Sequence, residues 1–86
     1  ELYYWKDYYD KECDFVITEN GKPKELIQVS WELNDNNEKR EIDGLIAAMN
    51  EFNLNNGLIL TYNTEKTITI DKKEIVVKPI WKWLLE

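Results

Sequence analysis

Histidine is absent from the sequence. That removes imidazole as a general base and as a zinc ligand within the chain. There is one cysteine, Cys13, so no internal disulfide can form, and a reducing, cytoplasmic setting is the expectation. Cys13 has no neighbouring base to activate it and falls in an apolar strand pattern, so it reads as buried filler rather than a nucleophile. No leader peptide and no long apolar run stands in the sequence, and membrane insertion is not expected. Neither a repeat nor a low-complexity linker is present. The phosphate-cradling pattern G-x-x-x-x-G-K-[ST] is also missing, so no ATP or other cofactor site is expected in these residues. Basic residues are outnumbered 11 to 17, for a net charge of −6. Lys22, Lys24, Lys39, Arg40, Lys72, Lys73 and Lys78 lie scattered among acids, whereas a nucleic-acid backbone attracts clustered Lys and Arg. Nucleic acid is therefore not an expected partner.

What remains is an aromatic-rich chain of 86 residues, with 4 Trp and 5 Tyr. That length supports one small domain, residues 1–86, and large aromatics help so short a chain to bury enough area. The sequence opens at Glu1 directly on an aromatic run, which we read as a fragment of a longer polypeptide.

The pattern of apolar residues assigns the elements. Leu2 to Trp5 is rich in strand formers, and Asp7 to Lys11 reads as a turn. Glu12 to Thr18 is a second strand, with Cys13, Phe15 and Ile17 on one face and Glu12, Asp14 and Val16 on the other. Asn20-Gly21 is a hairpin signal, widened into a loop by Lys22-Pro23-Lys24. Glu25 to Glu32 alternates with period two and forms the central strand, with Ile27, Val29 and Trp31 on its apolar side and Gln28 and Ser30 on the mostly polar one. From Asn36 or Asn37 to Phe52 the period changes, and Ile42, Leu45, Ile46, Met49 and Phe52 make one stripe of an amphipathic helix. Gly44 within it marks either close approach to the sheet or nothing.

Asn53 to Gly57 ends that helix, and Gly57 to Tyr62 is a near-continuous apolar run, which suits a strand buried on both faces and parallel to its neighbour. Strand, helix and strand make a right-handed crossover. Thr67 to Ile70 and Glu74 to Lys78 form a hairpin, Pro79 ends it, and residues 80 to 86 make one or two helical turns. The fold class is α/β: a small mixed sheet, an antiparallel meander followed by a parallel crossover, with one main helix.

Tyr3-Tyr4-Trp5, Glu12 to Ile17, Glu25 to Ser30, Arg40-Glu41-Ile42, Gly57 to Tyr62 and Pro79 to Leu85 follow one another along nearly the whole chain. As an ordered set they resemble the C-terminal domain of unknown function that trails the P-loop module of prokaryotic AAA-type ATPases. That trailing domain in turn resembles the PD-(D/E)xK, restriction-endonuclease-like fold. The resemblance implies an upstream ATPase module in the same polypeptide as partner, and it places ATP and Mg²⁺ there. In the nuclease fold a strand Asp and a (D/E)-x-K pair on the next strand hold Mg²⁺ and stabilise charge. The x is needed because strand side chains alternate faces.

Asp14 matches the strand Asp, Gln28 stands where the second carboxylate belongs, and Ser30 stands where the Lys belongs. Gln lacks the charge a hard dication prefers, and Ser supplies no cation. Glu32 and Glu12 are weaker substitutes, each two residues along a strand from the motif. The resemblance thus implies the fold with a degenerate site, and the plain reading of Asp14, Gln28 and Ser30 is an inert, hydrogen-bonded pocket. Tyr3, Tyr4, Trp5, Trp81 and Trp83 are candidates for an interface rather than for base stacking, which normally comes with a positive groove. Glu38, Glu41 and Asp43 read as solvated helix charges, as do Lys39 and Arg40.

The expected function is a non-catalytic accessory or interaction domain of an ATP-binding protein, acting through its ATPase module or as a homo-oligomer. The alternatives are a residual metal-dependent nuclease and a non-cleaving nucleic-acid binder.

Overall fold

The computed structural model describes all residues, Glu1–Glu86. Six strands and two helices follow in the order β1 (Leu2–Lys6), β2 (Glu12–Glu19), β3 (Lys22–Val29), α1 (Glu38–Phe52), β4 (Asn56–Thr61), β5 (Lys66–Ile70), β6 (Lys73–Pro79) and α2 (Ile80–Leu84). One mixed sheet holds all the strands in the order β1-β2-β3-β4-β6-β5. β1, β2 and β3 form the expected antiparallel meander. β3 and β4 are parallel and joined through α1. β6 lies parallel on the far side of β4, and β5 folds back antiparallel as the outer edge. No helix is long and apolar enough to cross a membrane.

α1 packs on one face of the sheet. Leu45, Ala48 and Met49 from the helix are buried against Cys13, Val16, Leu26, Ile59, Ile75 and Val77. The helix ends where Asn53 turns left-handed (φ 59°, ψ 43°) and its N–H returns to the Met49 carbonyl. A short polar residue tolerates that conformation. α2 follows Pro79 and lies against β6 and β4. Its Trp83 shares a groove with Leu58 and Val76, residues of the sheet face that α1 does not cover.

Three readings of the sequence require correction. The third strand begins at Lys22 rather than Glu25. Asn20 and Gly21 both adopt positive φ (55° and 77°), which makes a two-residue turn sufficient, so Lys22-Pro23-Lys24 joins the strand. Pro23 pairs with Thr18 where the register shifts, a place where a missing N–H is tolerated.

The second correction concerns faces. Tyr3 and Trp5 on β1 oppose Val16 and Cys13 on β2, so two steps on one strand face three on the other. This bulge in β2 turns Cys13 and Val16 to the same, helix-covered side, both fully buried. Phe15 goes to the opposite side, because it pairs with Ile27 and not with the core position Leu26. Strict alternation had grouped Phe15 with Cys13, and an extra residue breaks that alternation.

Third, the side of β3 carrying Gln28 and Ser30 is the one facing α1. Leu26, Gln28 and Ser30 are all buried there. On the other side Ile27 is buried, while Val29 and Trp31 are exposed.

Candidate functional site

Burying an amide side chain beneath a helix requires partners for its donors and acceptor. Gln28 finds all of them in main chain. Its Oε1 accepts the Asp14 N–H at 2.8 Å, and its Nε2 donates to the Glu12 carbonyl at 2.7 Å and the Glu41 carbonyl at 3.3 Å. The β2–β3 ladder stops at Phe15 and Ile27, so beyond it the side chain of Gln28 takes over the pairing that the bulge interrupts. Asp14 completes the arrangement, since its Oδ2 accepts the Val29 N–H at 2.8 Å. Each side chain thus serves the other residue's strand.

The helix approaches this junction closely. A Cβ on Gly44 would lie 2.3 Å from the Glu12 carbonyl oxygen and 3.0 Å from Gln28 Nε2. Only glycine fits beneath that carbonyl, so Gly44 marks close approach to the sheet.

A cavity of about 100 Å³ opens beside the junction, lined by Tyr9, Asp10, Lys11, Glu12, Asp14, Gln28, Arg40 and Glu41. Asp14 and Gln28 therefore line one cavity. Ser30 does not line that cavity. Its Oγ donates to the Glu32 carbonyl at 3.1 Å and its N–H to the Leu60 carbonyl at 2.9 Å, so it continues the β3–β4 pairing.

Glu12 accepts the Tyr4 hydroxyl at 2.7 Å. Asp7, outside the cavity, organises the loop above it, its Oδ1 accepting the N–H groups of Tyr9 and Lys11, each at 2.8 Å. No three of the acidic side chains are arranged to hold a metal ion.

Glu41 is the cavity residue that sequence reasoning misplaced. Its side chain is only 15% exposed, with Arg40 Nη2 at 3.5 Å. Burial pushes its carboxyl above the usual range, and the charge of Asp14 adds to that, while Arg40 opposes it. The signal was present, because Glu41 precedes Leu45 by four residues and so falls on the inward stripe of α1. Cys13 sits behind the bulge, and burial pushes its thiol up to about 11.

The aromatic candidates disperse. Trp5 packs edge-on against Phe52, centroids 5.8 Å apart, while Tyr3 and Tyr4 are exposed on the edge strand β1. Trp81 is exposed on α2, and Trp83 is half-buried in the groove. Another exposed aromatic pair was not among them. Trp31 and Tyr62 lie just past the ends of β3 and β4, ring centroids 4.7 Å apart, and the Tyr62 N–H donates to the Trp31 carbonyl at 2.9 Å.

The molecule is thus a small α/β domain whose polar cleft lies at a strand bulge capped by a helix. The family described as DUF4143, a domain of unknown function, matches residues 1–83, and the chain belongs to it. An uncharacterized protein of Methanocaldococcus jannaschii is 46% identical over 80 residues, covering 86% of this chain and 18% of the relative. The chain therefore spans about a fifth of the length of that curated relative. No solved structure matches the chain.

Proposed function

We propose that this domain is a non-catalytic interaction module of a longer ATP-binding polypeptide, built on a nuclease-like scaffold whose catalytic positions have become structural. The observation that carries the reading is the use of the Gln28 amide. Its Oε1 accepts a main-chain N–H of β2, and its Nε2 donates to carbonyls of β2 and α1, so the amide serves as a neutral splice between main-chain segments and brings no charge to a metal. Ser30 is likewise engaged within its own sheet. The share of the relative's length that this chain covers, together with the resemblance to domains trailing AAA-type ATPases, favours an ATPase module elsewhere in the polypeptide.

A second reading has one observation in its favour. Glu41 and Asp14 line the same cleft, and one or two carboxylates are what Mg²⁺ usually takes from a protein. The two readings separate in one assay. The full-length polypeptide is incubated with linear DNA and RNA in Mg²⁺ or Mn²⁺, and its ATP hydrolysis is measured alongside. Hydrolysis of ATP without nucleic-acid cleavage is expected. Cleavage that disappears in Asp14→Ala would establish the enzymatic reading, and a polypeptide that neither binds nor hydrolyses ATP removes the proposed partner.

A further inference from the structure

The parallel strands β3 and β4 finish side by side, and the loops that leave them bring two aromatic rings together above a run of acids. Trp31 and Tyr62 stack there with centroids 4.7 Å apart and planes tilted by 31°. Each ring covers only one face of the other, so Trp31 stays 62% exposed and Tyr62 55%. Residues 31 to 38 contain Glu32, Asp35 and Glu38 and no Lys or Arg, and residues 62 to 65 contain Glu65 and no Lys or Arg. The cations that reach these loops are already paired, Lys66 with Glu38 and Lys82 with Glu65. Glu32 and Asp35 are exposed and form no ion pair. The main chain beneath them is held in place. Asn34 Oδ1 accepts the Asn36 N–H at 2.8 Å, Asn37 Nδ2 donates to the Glu32 carbonyl at 2.7 Å, and the Thr64 N–H donates to Thr61 Oγ1 at 3.0 Å.

We infer that the Trp31–Tyr62 pair, with Glu32 and Asp35, is the docking surface for a basic protein segment that presents an arginine. Such a surface gives the proposed interaction module its partner, and it presupposes that proposal. Aromatic ring faces attract cations, and Trp attracts them most strongly. A planar guanidinium stacks on such a face and keeps its edge N–H groups free for a carboxylate. Glu32, the residue after Trp31, supplies that carboxylate, and Asp35 adds a second negative charge. The net charge of −6 draws a basic partner towards the domain. The same charge repels a phosphate backbone, so the rings are not a platform for stacked bases. The pinned main chain of the two loops keeps the ordering cost of binding low. Mutual stacking staples the strand ends together, but it leaves more than half of each residue's surface in water, and that half is what the arginine covers.

The test titrates the full-length polypeptide, labelled with 5-fluorotryptophan, with a capped peptide of alternating glycine and arginine, and then with its lysine counterpart. The Trp31 fluorine signal is the one lost in Trp31→Phe. The expected result is a shift of that signal with a dissociation constant below about 1 mM, tighter for the arginine peptide than for the lysine one. Trp31→Leu should weaken binding roughly tenfold, the scale of one partly desolvated cation–π contact. Glu32→Gln with Asp35→Asn should weaken it further. Where Trp31→Leu fails to fold, the parent's own spectrum decides. An unmoved Trp31 signal overturns the inference, whether the peptide does not bind or binds elsewhere on the acidic surface. Equal affinity for the two peptides reduces the effect to net charge and overturns it as well. A Trp31 shift produced by single-stranded DNA, and not by the arginine peptide, assigns the rings to bases, with the same consequence. Nucleic-acid cleavage, measured separately, decides the interaction-module reading, so the two failures are distinguishable.

Discussion

Gln28 and Asp14 exchange hydrogen bonds across the β2 bulge: the Gln28 side chain accepts the Asp14 N–H, and the Asp14 carboxylate accepts the N–H of Val29, the residue after Gln28. The reciprocity makes the pair a splice between two strands whose ladder has stopped. Gln28→Leu keeps most of the volume but strands the Asp14 N–H and the Glu12 carbonyl. Each buried orphan costs about 1–3 kcal/mol, so the variant should lose about 2–6 kcal/mol of stability in a urea titration. A loss under 0.5 kcal/mol would mean that water replaces the amide at little cost.

Gly44→Ala separates two opposing effects. Helix propensity alone favours alanine by about 1 kcal/mol. The Glu12 carbonyl, 2.3 Å from the added carbon, forces α1 away from the sheet, and overpacking of this kind costs about 1–3 kcal/mol. The variant should be less stable than the parent despite its better helix former, as thermal unfolding by circular dichroism will show.

Glu41 gives the stability a pH dependence of known sign. Its native carboxyl titrates above its unfolded value, chiefly through burial and then through Asp14. The folded state therefore holds the proton more tightly, and stability rises as pH falls. The contribution is complete below the unfolded pKa and is lost as pH climbs through the folded one. Glu41→Gln should therefore stabilise the domain more at pH 7 than at pH 4, measured as the difference in denaturation midpoint from the parent. An equal difference at both pH values would place the Glu41 carboxylate in solvent.

Cys13 should be silent in the native state. Its side chain is buried, and burial holds its thiol near 11, leaving roughly one molecule in a thousand as thiolate at pH 8. Alkylation by iodoacetamide should proceed only as fast as the domain opens, and should rise to the rate of a free thiol in denaturant.

Most of the architecture was legible in residue spacing. The Leu45–Met49–Phe52 stripe announced α1, the run from Gly57 to Tyr62 announced a strand buried on both faces, and Asn20-Gly21 announced its hairpin. The bulge in β2 was not legible. No residue type marks it, and only the mismatch between Tyr3–Trp5 and Val16–Cys13 reveals it. That one extra residue sent Phe15 to the face opposite α1. Sequence also paired Gln28 with Ser30 by alternation, correctly for the face, but alternation carries no information on where a hydroxyl turns. The placement of β6 between β4 and β5 was equally hidden, since a hairpin pattern does not say which of its strands is inner. The Trp31–Tyr62 stack joins residues 31 positions apart and needed the parallel register of β3 and β4 to become visible.

The most direct test of a structural rather than catalytic cleft is a Mn²⁺ titration followed by amide line broadening. With Gln28 engaged by main chain and no acidic trio in place, no broadening localised to Asp14, Gln28 and Glu41 is expected up to millimolar metal. Localised broadening at sub-millimolar Mn²⁺ in the parent would contradict the account and return the domain to the metal-dependent nucleases.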